Sequence, residues 1–344
     1  MNKNIPPQTH SNTHPSLVFS DNAFDLVRII CAISIMFSHY CVKTFGIENV
    51  YKQFLFAGSS LVIFFMLQGF LATPSVYNNN IKMFIKKRML RLYPSFIMTL
   101  IATVIVVLCN GNDVSVRNVI AYFAKEMLFW SGSDFYGISN GAVWAIFIQL
   151  QVYFVLYLTI REMMRINNHY LPLIILVFLI MVNYFDETIR MYIDENISHH
   201  LAIAYSYFFL RFAYFFYLGF YIYKYKDIIV PFLSLYAYWL ILLHVIWHLD
   251  LFQIPSGYCY TDPITVITAS LAAVGIAYRL KKIKFRCEIS YDVFVWHMPV
   301  YTGLSLFYDQ KGWGLVVLSI VITIILSFFS NSISKKIVDY SISR

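Results

Sequence analysis

Apolar runs of about twenty residues, separated by short polar stretches, repeat along most of the chain. A helix that crosses the hydrocarbon core of a bilayer needs about 20 mostly apolar residues. Ten segments meet that need, near 24–45, 54–74, 92–109, 141–160, 170–185, 201–223, 231–248, 263–280, 289–308 and 313–334. The pattern predicts an all-α polytopic membrane protein with about ten transmembrane helices. The first 20 residues are different: they are polar, hold Pro6, Pro7 and Pro15, and have no apolar core. They read as a disordered cytoplasmic tail, not a signal peptide. Residues 21–335 then form the transmembrane domain, and 336–344 a short cytoplasmic tail.

Composition supports this and excludes much else. Of 344 residues, 59% are hydrophobic and 13% charged. Ordinary soluble domains carry about 45–50% apolar and about 25% charged residues. Too few polar side chains remain to cover a water-facing surface, which argues against a cytosolic globular enzyme, a disordered chain, a coiled coil or collagen. Aromatic residues at 19% suit contact with lipid and its interface. The net charge of +8 first suggests an acidic partner. However, Lys and Arg concentrate in alternate loops, as in Lys82–Arg91 and Lys281–Arg286. That bias orients the protein with both termini cytoplasmic and removes most of the motive for nucleic-acid binding. The five cysteines, Cys31, Cys41, Cys109, Cys259 and Cys287, show no paired spacing and suggest neither a disulfide framework nor a zinc site. No pair of Gly/Pro-broken helices in matching halves points to a transporter repeat.

Charges inside spans are costly, at least about 2.5–3.5 kcal/mol each, and so mark candidate function. The first span, FDLVRIICAISIMFSHY, holds Asp25, Arg28 and His39. Asp25 and Arg28, three apart, can pair on one face. Arg28 and His39, eleven apart, share nearly the same face about 16 Å apart along the axis. IKMFIKKRMLRLYPS brings Lys87, Arg88 and Arg91 to the start of the third span, where Pro94 begins or kinks it. Guanidinium groups bind phosphate in bidentate fashion, although a positive-inside anchor explains such a cluster equally simply. GAVWAIFIQLQVYF carries Trp144, Gln149 and Tyr153; a buried amide can bind a sugar or hold neighbouring helices together. Arg211 is a lone charge in its span. His244 and His248 have metal-ligand spacing, but no third ligand is evident. Trp296 and His297 in ISYDVFVWHMP fit a structural or interfacial role.

Taken in order, these segments resemble the acyltransferase-3 family of integral-membrane acyltransferases. The Arg-to-His spacing of the first span resembles that family's opening pattern. SSLVIFFMLQGFLATPS resembles its FFxxSGF signature, IKKRMLRLYPSF its Arg-x-x-Arg motif with a following Pro, and VWAIFIQLQVYFVLY its Trp-led segment ending in Tyr. The stretch from Arg211 to Gly219 and ISYDVFVWHMPV resemble later segments. Gln68 stands where the signature has Ser, and Gln149 where the fourth-span motif has Glu. An amide can hydrogen-bond there but carries no charge.

The resemblance implies an O-acetyltransferase with acetyl-CoA as donor at the inner face, no metal, and a surface carbohydrate as acceptor at the outer face of a bacterial inner membrane. A hydroxyl needs a base to become a nucleophile. The expected assignments follow from that need. His39 is the general base, with an acyl-His39 intermediate as the covalent variant, and Asp25 and Arg28 order its span. Lys87, Arg88 and Arg91 hold CoA phosphates. Gln68, Trp144, Gln149, Tyr153 and Arg211 contact the substrate or stabilise its oxyanion. The competing expectation is a carbohydrate transporter or flippase, or a catalytically altered relic of the family.

Overall fold

A computed structural model describes residues 22–46, 56–127, 134–141, 143–166, 169–249, 262–281, 283, 288–308 and 310–342. The helices, in chain order, are α1 (Phe24–Phe45), α2 (Ala57–Asn78), α3 (Ile81–Cys109), α4 (Val116–Met127), α5 (Val143–Arg165), α6 (Tyr170–Tyr184), α7 (Asp186–Asn196), α8 (His199–Ser206) and α9 (Leu210–Lys224). They continue with α10 (Lys226–Leu235), α11 (Ala237–His248), α12 (Pro263–Arg279), α13 (Ser290–Leu304) and α14 (Trp313–Ile342). Between α4 and α5 a two-stranded hairpin pairs β1 (Asp134–Phe135) with β2 (Ile138–Ser139). The protein is thus an all-α, polytopic membrane fold. The expected N-terminal tail, and Cys259 and Cys287, lie outside the described residues. Cys31, Cys41 and Cys109 are free thiols.

Every expected span is helical, but the spans differ in kind. Six helical stretches are long and apolar enough to cross a bilayer: α1, α2, α3, α5, α8 with α9, and α14. Two bent pairs, α6 with α7 at 53° and α10 with α11 at 76°, add up to two crossings if each pair is one span. That gives six to eight by length and composition. Two shorter helices account for the other expected segments. These are α12, with 17 residues, and α13, with 15, which buries every side chain except Phe294 and Leu304. The sequence read 231–248 as one run because the break near Tyr236 is apolar on both sides.

Local chemistry sets the helix ends. Asp262 caps α12, accepting from Ile264 N and Thr265 N at 3.1 Å, with Pro263 at the first helical position. Gly46 ends α1 in the left-handed conformation at φ 68°. Asn80 caps α3 by accepting from Met83 N at 2.9 Å. Consequently α3 begins at Ile81 rather than at Arg88 or Pro94. Both arginines lie inside the helix, and so does Pro94.

Helix α2 packs most extensively on α9, while α1 packs against α2 and α13, and α13 against α3 and α14. Phe65, Phe216, Phe212 and Trp144 form an aromatic cluster where α2, α5 and α9 meet, with Phe65 and Phe216 centroids 5.0 Å apart. This packing leaves a pocket among α1, α2, α3, α5 and α13.

Candidate active site

The pocket is narrow, with a cavity volume of about 50 Å³. Arg28 from α1, Gln68 from α2, Arg88 and Arg91 from α3, and Gln149 and Tyr153 from α5 line it, with Tyr291 and Phe294 from α13. Guanidinium groups from two helices, Arg28 of α1 and Arg88 and Arg91 of α3, therefore line one site. The structure brings together six of the residues singled out above.

The polar groups of this pocket are incompletely satisfied. Arg28 is 8% exposed, and its nearest acid is Asp25 at 3.8 Å. Arg88 lies over the Tyr153 ring at 4.9 Å and the Phe84 ring at 5.3 Å, and its Nε is buried without a hydrogen-bond partner. An Arg91 terminal nitrogen ion-pairs with a Glu288 carboxylate oxygen at 3.6 Å, beyond hydrogen-bond range, and is buried without a hydrogen-bond partner. So is Gln68 Oε1. Unsatisfied buried polar groups are uncommon and call for an explanation. Here the orphan donors belong to cations around a cavity, which is the arrangement an anion would complete. Gln149 Nε2 donates to the Tyr153 hydroxyl at 2.6 Å. Gln149 is an amide, so the lining itself holds no carboxylate, and the acids that pair with Arg28 and Arg91, Asp25 and Glu288, stand beside it.

The other candidates lie elsewhere. Lys87 is exposed and donates to Asn79 Oδ1 at 3.0 Å. It lines a neighbouring cleft of about 200 Å³ that shares Arg91 with the first and also holds Lys335, Glu288 and Asp292. Within it, Asp292 accepts from Ser95, from Ser330 at 2.7 Å and from Asn331 at 3.1 Å. Trp144 is packed in the aromatic cluster beside the pocket, not in its lining. Arg211 is held by the Asp186 carboxylate, with Nε contacts of 2.8 Å, and donates to the Ser206 carbonyl at 3.1 Å. It secures the bend between α6 and α7 against α9. His244 meets the Thr268 hydroxyl at 3.0 Å and His248 meets Ser59 at 3.3 Å.

His39 is outside the pocket lining, farther along α1. Its Nδ1 lies 2.9 Å from His297 Nε2, with the two rings 5.1 Å apart and 19° from parallel. Arg28 and His39 do share a face, since both look toward α13: Arg28 lines the pocket with Tyr291 and Phe294, and His39 meets His297. The sequence reading missed Tyr291, Phe294 and His297 as site residues. Their spacing of three put them on one face of one helix, which was the available signal.

The fold and site define a class: a multi-pass helical membrane protein with an arginine-lined pocket and a histidine pair beyond it. Residues 21–331 match a family profile described as an acyltransferase domain, and the chain belongs to this acyltransferase-3 family. Nodulation protein 10 of Rhizobium leguminosarum bv. viciae is 28% identical over 174 residues, covering 44% of this chain. The match covers 46% of that protein, so the chain spans about half the length of the relative it matches. No solved structure matches.

Proposed function

We propose that the protein is an O-acetyltransferase of the bacterial inner membrane. It moves an acetyl group from cytoplasmic acetyl-CoA to a hydroxyl of a surface polysaccharide or its lipid-linked precursor, such as O-antigen, capsule or exopolysaccharide. The observation that carries this reading is the arginine pocket. Orphan donors on Arg88 and Arg91, with Arg28 opposite, suit the phosphates of CoA. Apolar walls at Phe64, Phe65 and Phe294 suit the neutral arm that follows them.

The separation of parts also fits. Arg28 and His39 are about 16 Å apart along α1. A ligand serving both needs its anionic groups at one end and its reactive group at the other, as acetyl-CoA has. When bound, CoA supplies the acetyl group as an activated thioester. The protein then binds the phosphates with Arg28, Arg88 and Arg91, receives the approaching chain at Lys87, and removes the hydroxyl proton with His39. General-base catalysis of this kind contributes typically 10²–10⁴-fold.

Membranes containing the protein, incubated with radiolabelled acetyl-CoA and extracted glycan, test the proposal. Label should pass to the glycan and be lost in His39→Ala. Transfer that survives this substitution removes His39 from catalysis. Absence of transfer from well-expressed wild-type protein favours a transporter or an inactive relic.

A further inference from the structure

His297 is 1% exposed and sits against the ring of His39. The hydrogen-bond chain through this pair has a direction. His297 Nδ1 lies 2.6 Å from the carbonyl oxygen of Phe294. A carbonyl oxygen only accepts, so Nδ1 of His297 carries the proton and donates it. In a neutral imidazole the other nitrogen is then an acceptor. That nitrogen, Nε2, faces His39 Nδ1 at 2.9 Å. Two lone pairs facing one another at that distance would repel, so the proton between the rings belongs to His39 Nδ1. His39 is thereby the Nδ1–H tautomer, with its basic lone pair on Nε2.

The surroundings hold this arrangement in place. Tyr40, the residue after His39, donates to the backbone carbonyl of His297 at 2.8 Å and meets the Thr323 hydroxyl at 2.7 Å. Tyr301, one turn beyond His297, stacks on Tyr40 at 5.1 Å and bonds to Thr44 at 2.8 Å. Helices α1 and α13 are therefore pinned together at the pair and one turn beyond it.

We propose that His297 is a positioning residue that fixes His39 as the Nδ1–H tautomer and so directs the lone pair of Nε2 to the acceptor hydroxyl. This rests on the reading of His39 as the base. When the hydroxyl O–H bond breaks, the proton goes to His39 Nε2 and the O–H electron pair forms the C–O bond to the acetyl carbonyl carbon, whose C–S bond breaks with its electron pair leaving on the CoA sulfur. His39 becomes the imidazolium while His297 stays neutral, and His39 returns to neutral by giving the proton to the departing thiolate. Throughout, the Nδ1–H bond to His297 persists and becomes charge-assisted in the imidazolium, which strengthens it. The logic is that of an orienting partner in a catalytic triad, with an imidazole nitrogen as the acceptor.

The experiment combines spectroscopy with kinetics. In wild-type protein labelled with ¹⁵N-histidine and reconstituted in lipid, with His39 assigned by comparison with His39→Gln, Nδ1 of His39 should be protonated and Nε2 not. His297→Phe keeps the ring volume and removes the acceptor. It should release both tautomers and lower kcat by about 10–100-fold, a part of the 10²–10⁴-fold that a general base contributes, with the KM for acetyl-CoA unchanged. His297→Gln, whose amide oxygen can accept from His39, should recover at least tenfold of that loss. A wild-type spectrum with His39 protonated on Nε2 overturns the proposal, as does a folded His297→Phe variant with wild-type kcat. Should His297→Phe fail to fold, the wild-type spectrum and the His297→Gln kinetics decide. The spectrum needs no turnover. If wild-type protein transfers no label, the functional reading fails while the tautomer assignment is still measured.

Discussion

Gly69 on α2 and Gly219 on α9 lie at one helix crossing, and each faces the other helix's backbone. A Cβ on Gly69 would strike the carbonyl of Phe216, and one on Gly219 the carbonyl of Met66. Small residues let membrane helices approach this closely, and the approach builds the aromatic cluster beside the pocket. Gly69 belongs to the LQGF segment that resembles the family signature. Its position there is explained by packing rather than chemistry.

Gly69→Ala and Gly219→Ala should each destabilise the protein severely. Overpacking usually costs about 1–3 kcal/mol, occasionally more. Here the obstacle is backbone, which cannot rotate aside, so the upper end or beyond is expected. Thermal unfolding in detergent measures it. Gly312→Ala, where a Cβ meets nothing within 4 Å, should change little.

The arginine pocket predicts a split between KM and kcat. Arg88→Ala combined with Arg91→Ala should raise the KM for acetyl-CoA at least tenfold, because two charge-assisted contacts to phosphate are lost. At saturating donor, kcat should fall much less. Donor titration of the label-transfer reaction reads both. Unchanged donor dependence would make these residues topology anchors only.

Arg211 and Asp186 form a buried ion pair, with side chains 12% and 2% exposed. Removing one partner strands a charge, which costs about 3–5 kcal/mol, whereas replacing both with well-packed apolar residues is often neutral. Arg211→Met alone should lower the unfolding midpoint sharply, and adding Asp186→Leu should restore most of it. The KM for donor should be unaffected in the double variant. A large rise would place Arg211 in substrate binding after all.

Glu126, on α4 outside the membrane-spanning segments, predicts a pH effect. Burial pushes its carboxyl up from 4.5 to about 7. An acid whose folded-state pKa is raised binds its proton more tightly when folded. Stability should therefore fall as pH rises from about 4.5 to about 7 and level off above. Hydrogen exchange on α4 at pH 5 and pH 8 should show the loss of protection, and Glu126→Gln should flatten it.

Much of the fold was legible in the sequence, because water exclusion acts on runs of residues and lipid imposes a length. The run 24–45 became α1 to the residue, since Gly46 stops it. The run 92–109 was too short by about three turns, because apolarity marks the lipid-facing part of α3, while Asn80 decides where the helix starts. The break in α10–α11 was invisible, since a bend between two apolar helices leaves no polar mark, whereas the run 170–185 stopped at the α6–α7 bend, where the acidic Asp186 begins.

For the site, the residues were legible and their partners were not. Arg28, His39, Arg88, Arg91, Gln68 and Gln149 stood out because charges and amides are expensive in lipid. Sequence by itself determined the class of fold, the polar residues worth watching and the shared face of Arg28 and His39, all of which follow from composition and helical period. Only the tertiary structure decided that Arg28 meets arginines of α3, that Arg211 is consumed by Asp186, and that His39 meets a histidine 258 positions away. Those contacts depend on which helices pack together, and packing is set by shape at crossings such as Gly69 with Gly219, which no local pattern encodes.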